Sequence, residues 1–111
     1  MDDLPILDAT RLNLITRGDT RLANEFLDDL VVEADELMLR LGILVSSDDR
    51  AAVSDVAHTL KGMATELGAQ RLRAVAAALE TEAVPARWPE DIGRLNAALA
   101  ELRQHVRDQK P

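Results

Sequence analysis

The sequence predicts an all-α fold: an up-and-down four-helix bundle with a short additional N-terminal helix. Three observations point there. Leu and Ala dominate an apolar content of 47%, with one Phe, one Trp and no Tyr, and abundant Glu, Asp and Arg complete a helix-forming palette. The apolar residues recur at spacings of three and four through long stretches, the period of one buried helix face. The five Gly and four Pro fall mostly between those stretches. At 111 residues the chain has room for one domain with one core. It is read as a single domain over 1–111, with its helices within 8–106.

The short first helix begins at Asp8, a good N-cap, and ends near Arg17 and Gly18. Leu12 and Ile15 give it a small apolar face. Asp19 or Thr20 caps a second helix with Ala23, Phe26, Leu27, Leu30, Ala34, Leu37, Met38 and Leu41 on one side. Gly42 either stops this helix or is carried through to Val45. Ser46 to Asp49 form a polar break, and Asp48 or Asp49 caps the third helix by accepting from an orphan backbone N–H. Its stripe is Val53, Val56, Ala57, Leu60, Ala64 and Leu67. Gly68 suits the left-handed position after its C-terminus. A fourth helix follows at once, with Leu72, Val75, Ala76 and Leu79 inward, so the third and fourth pack antiparallel. Pro85 and Pro89 bracket a linker, and Pro89 fits the first turn of a fifth helix, where a missing N–H is harmless. Ile92, Leu95, Leu99, Leu102 and Val106 form its seam. Trp88 reads as an apolar plug at a bundle end, and 108–111 as a frayed tail.

The net charge of −7 gives no counterion-release drive toward nucleic acid, so protein partners are expected. Cysteine is absent, which excludes disulfides and thiolate metal sites. The opening MDDLPILDAT lacks the pattern of a signal peptide. No apolar run nears the roughly 20 residues that span a bilayer. The cytoplasm is the expected location, with no membrane contact, and Met1 favours a free-standing protein.

One residue stands apart from this helical patterning. At about 100° per residue, His58 lies about 150° from the centre of the third helix's stripe and so faces solvent. Residues three, four and seven positions away share its face: Ala51, Ser54, Asp55, Lys61, Gly62 and Thr65. Most are small, and a mid-helix Gly costs about 1 kcal/mol relative to Ala. At Gly62 that cost clears space beside the imidazole. Lys61 places an ammonium near any anion bound there. An ordinary imidazole is largely neutral at cytoplasmic pH and keeps one nitrogen lone pair for attack on phosphorus. A carboxylate on the other nitrogen fixes the ring and raises its basicity. Glu80 is the candidate: His58 lies ten residues before Gly68 and Glu80 twelve after it, so antiparallel helices bring them to similar heights.

Ala57-His58-Thr59-Leu60-Lys61-Gly62, continued by Leu67-Gly68-Ala69, Leu72 and Leu79-Glu80, closely resembles the histidine-phosphotransfer (HPt) family over about residues 8–106. The resemblance implies a phosphorelay intermediate without its own ATP site. His58 accepts a phosphoryl group from the aspartyl phosphate of one receiver domain, in a hybrid histidine kinase, and passes it to the Asp of another, in a response regulator. It implies that Lys61 is the positive neighbour and that Gly62, with Ser54, Ala51 and Thr65, forms the receiver docking surface. Glu80 matches a position that commonly holds a polar side chain near the histidine. No cofactor or metal is expected on this chain, which acts as a monomer, and magnesium is expected in the receiver. Met63 departs from the family's usual small residue and reads as packing. Glu66 departs from a common Asn and adds negative charge.

Two other readings compete. A non-catalytic helical adaptor would bind a signalling partner through the same face, with His58 as a contact residue. A metal enzyme on a four-helix bundle would need Glu-x-x-His pairs on inward faces. Glu101 and His105 are four apart, and His105 falls near a helix end, where a surface histidine is favoured by the helix dipole.

Overall fold

The computed structural model describes residues 4–82 and 84–109. Five α-helices follow one another: α1 Ala9–Thr16, α2 Thr20–Ser46, α3 Arg50–Leu67, α4 Gln70–Glu80 and α5 Trp88–Asp108, with a 3-10 turn at Pro85–Arg87. No strand occurs among the described residues. Helices α2 to α5 pack as a ring of sequential neighbours, and α1 lies against α2 and α3.

Three aspartates start three of the helices. Asp8 accepts from the Thr10 N–H, Asp19 from Leu22 and Asp49 from Ala52, at 3.0, 3.0 and 3.1 Å. Each satisfies an orphan donor of the first turn. The choices left open by the sequence thus fall to Asp19 over Thr20 and to Asp49 over Asp48. Asp48 instead takes a left-handed conformation, φ 55°, which Asp tolerates, and turns the chain from α2 into α3. Gly42 does not stop α2, which runs through Val45 to Ser46.

The core is one aliphatic cluster. It includes Leu12, Leu27, Leu30, Leu41, Val53, Leu60, Leu72, Leu79, Leu95, Leu99 and Leu102. Trp88 is buried at 2% exposure and is the first residue of α5 rather than a residue before it. The expected linker is correspondingly short, because Pro85 nucleates a 3-10 turn that runs directly into α5. Phe26, Met38, Ile15, Leu67 and Ile92 are half-buried at the margin, while Thr16 and Ala98 are buried. Thr16 is accommodated because its hydroxyl donates to the Leu12 carbonyl at 2.8 Å, the back-bonding open to a helical Thr. Helix α5 continues through Asp108, so that part of the tail is helical. Residues 110 and 111 lie outside the described residues.

Helix α1 is fastened to the α3–α4 turn. The Asp8 N–H donates to the Gly68 carbonyl at 2.7 Å, Arg11 Nε to the Glu66 carbonyl at 3.0 Å, and Gln70 Nε2 to Asp8 Oδ2 at 3.3 Å. Arg71 Nε reaches the Leu4 carbonyl. Ion pairs Arg103–Asp35 and Arg71–Glu101 tie α5 to α2 and to α4.

One buried carboxylate opposes the fold. Asp91, in the first turn of α5, is 4% exposed, and its Oδ2 has no hydrogen-bond partner among the described residues. Burial first, then repulsion from Glu82 and Glu90, raises its pKa against the pull of Arg94 and Arg87. A raised carboxyl pKa means that folding disfavours the charged form. Stability falls as pH rises from the ordinary aspartate range through the raised value, and the penalty is full above it. Asp91→Asn should therefore stabilise the protein at neutral pH by about 1 kcal/mol. Urea denaturation should show that gain at pH 7 and its disappearance below the aspartate range. A gain of equal size at both pH values would mean that charge is not the cause.

Candidate functional site

The site forms where the middle of α3 meets the last residue of α4. Antiparallel packing through the tight Gly68 turn brings His58 and Glu80 level. Their apolar neighbours Ala57, Leu60 and Leu79 are essentially fully buried, so the backbone under the site is held by the core. The His58 side chain is 69% exposed and the Glu80 side chain 18%.

Glu80 bridges two groups of α3. His58 Nδ1 lies 2.6 Å from Oε2, and Lys61 Nζ donates to Oε1 at 2.5 Å. The Lys61 contact first, then the His58 contact, lowers the Glu80 pKa, while desolvation opposes them. Because folding lowers this pKa, the contacts stabilise the fold above the ordinary glutamate range and are lost as pH falls through the lowered value. An ionised carboxylate only accepts, so Nδ1 carries the proton. In the neutral ring the lone pair is then on Nε2, the nitrogen that Glu80 leaves outward.

The surroundings are small. A Cβ placed on Gly62 would meet nothing within 4 Å, so the space one turn beyond His58 is open. Ala51 and Thr65 are exposed on the same face, and the Thr65 hydroxyl donates to the Lys61 carbonyl at 2.7 Å. Ser54 also makes a bond within the protein. It is half-buried and its hydroxyl donates to the Glu80 carbonyl at 3.2 Å, tying the end of α4 to α3. That bond joins residues 26 apart, so no local spacing announces it. Lys61 is partly exposed and paired with Glu80. Met63 is half-buried against the core, and Glu66 is exposed.

Elsewhere, Glu101 is paired with Arg71, and His105 sits half-buried in the last turn of α5. Among the described residues no three His, Asp or Glu side chains cluster as a metal site, and no helix is long and apolar enough to cross a membrane.

An exposed, carboxylate-oriented imidazole on a helical bundle is what the family comparison bears on. The Hpt domain model matches residues 25–105. The chain belongs to the Hpt domain family. Membership gives this Hpt domain a histidine-phosphotransfer role in phosphorelay signalling, as a phosphocarrier module with receiver domains as partners. Among solved structures, the Hpt domain matches the crystal structure of histidine-containing phosphotransfer protein B from Pseudomonas aeruginosa PAO1, with a TM-score of 0.84, 22% sequence identity and 96% coverage of each chain. At that identity the likeness is one of fold, and it extends the correspondence over nearly the whole chain. No curated protein matches the sequence.

Proposed function

We propose that His58 is the phosphorylated residue and that the protein relays a phosphoryl group between two receiver domains, one in a hybrid histidine kinase and one in a response regulator. The observation that carries this reading is the contact of His58 Nδ1 with Glu80, which directs the lone pair of an exposed ring outward from Nε2. Nε2 attacks the phosphorus of the donor's aspartyl phosphate. The N–P bond forms, the P–O bond breaks, and the donor carboxylate leaves. The Nδ1 proton stays on the ring, where Glu80 stabilises the positive charge that develops. The return step to the acceptor Asp is the same in reverse.

Lys61 neutralises Glu80 and places positive charge beside the equatorial oxygens in flight. Phosphoryl transfer is dominated by such positioning and charge neutralisation. The divalent ion belongs to the receiver, which holds the accepting Asp, and the protein acts as a cytoplasmic monomer. Ala51, Ser54, Gly62 and Thr65 form the surface on which the receiver docks.

The test is transfer of labelled phosphate from a panel of phosphorylated receiver domains. His58 should take up an acid-labile, alkali-stable label, as a phosphoramidate does. His58→Gln should take up none, and Lys61→Ala should slow transfer by about tenfold without stopping it. Label persisting in His58→Gln, carried on His105, would overturn the assignment. Partner binding with no labelling of wild-type protein would leave the adaptor reading.

A further inference from the structure

The face that carries His58 continues past it. Seven residues on along α3 lies Thr65, and seven residues back along α4 from Glu80 lies Arg73. Seven residues are two helical turns, a rise of about 10 Å with nearly the same heading. Thr65 and Arg73 line one notch of about 260 Å³, together with Arg11 of α1, Gln70 and Asp8. Arg11 is exposed and commits only its Nε, to the Glu66 carbonyl. Arg73 is half-buried, and its side chain has no hydrogen bond or ion pair among the described residues. Asp8 is the single acid in the lining, and its two oxygens already accept from the Thr10 N–H and from Gln70. Two guanidiniums thus share a concave site on a chain of net charge −7.

We infer that this notch receives a carboxylate of the protein that docks over His58, and so sets the orientation of that partner. The inference rests on the phosphorelay reading for the docking itself, but it turns on Arg11 and Arg73, which that reading does not use. A stable interface covers about 800 Å² on each side, a disc of about 16 Å radius. Centred on His58, such a footprint includes the notch about 10 Å away. A guanidinium cannot shed its charge, and covering it without an acceptor is unfavourable. An apolar or basic patch seated there strands both arginines. A carboxylate satisfies them by charge and by accepting their N–H groups. On a chain of net charge −7 such a basic notch discriminates among poses of one partner and among partners.

The test uses the receiver domain that labels His58 fastest, with Arg73→Glu, Arg73→Lys and Arg11→Glu, each shown folded by circular dichroism. At low salt, Arg73→Glu and Arg11→Glu should each raise KM for the phosphorylated receiver about fivefold with kcat nearly unchanged, because a rim charge acts mainly on encounter and pose. Arg73→Lys should stay within about twofold, and high salt should shrink every difference. A KM within twofold of wild type for both Arg73→Glu and Arg11→Glu would overturn the inference, as would a rise that persists undiminished in high salt. Failure of any receiver to label wild-type His58 would sink this inference together with the phosphorelay reading. Labelling with an unchanged KM sinks the notch alone.

Discussion

Gly62→Gln is expected to reduce phosphoryl transfer from a receiver by about 100-fold, the scale that misplaced reactants cost, while the protein folds as well as before. The space at the glycine is open to an added Cβ, so the new side chain starts without a clash and stands one turn from the imidazole, where the partner must approach. The helix gains by about 0.5 kcal/mol, since Gln is the better helix former. Activity and stability therefore move in opposite directions. Transfer assays beside thermal melts check the pair, and Gly62→Ala should fall between the two in activity. Wild-type transfer in Gly62→Gln would show that the docking surface lies elsewhere.

Gly68→Ala should produce the larger loss of stability, about 3 kcal/mol, from a left-handed backbone that costs L-residues about 1–2 kcal/mol plus a steric clash. At φ +77° the added Cβ would lie 2.8 Å from the Asp8 carbonyl oxygen, with Arg11 Cβ at 3.1 Å. The obstacle is backbone, so relief requires α1 to move off the α3–α4 turn and to lose the Asp8 to Gly68 hydrogen bond. Gly18→Ala is the internal control. Its φ is +78°, yet nothing lies within 4 Å of its Cβ position, so it should lose only the conformational part, about 1 kcal/mol. Urea denaturation of both variants separates the two causes. Equal losses would mean that the contact of α1 with the turn contributes nothing.

Most of the helical layout was legible because its signals are local. Asp8, Asp19, Asp49 and Gly68 each act within a few residues of themselves, and the three-and-four spacing of Leu and Ala marks one buried face without knowledge of the fold. The solvent-facing phase of His58 and its level with Glu80 followed from helix geometry and a short turn alone. What the sequence left open depended on tertiary competition. Gly42 continues α2 because no local signal there outweighs packing on either side. Asp91 reads as an ordinary first-turn acid, and only the assembled bundle buries it. The Ser54 hydroxyl finds the Glu80 carbonyl, and Arg11 and Arg73 come to line one notch, through packing of α1, α3 and α4 that no single helix encodes. The pairing of Lys61 with Glu80 depends on the α3–α4 register, which no spacing within α3 encodes.

Glu80, which orients His58, is the final residue of α4, and helix ends open far more readily than the core beneath them. The imidazole's hold is therefore governed by a local opening equilibrium rather than by global unfolding. The Ser54 bond to the Glu80 carbonyl and the Thr81 N–H bond to the Ala77 carbonyl set how often that last turn frays. Changes in the 81–87 segment can retune the reactivity of His58 without touching its surface, whereas mild weakening of the leucine core leaves the ring oriented as before. Amide exchange at the end of α4 and the rate of phosphoryl transfer become two readings of one equilibrium.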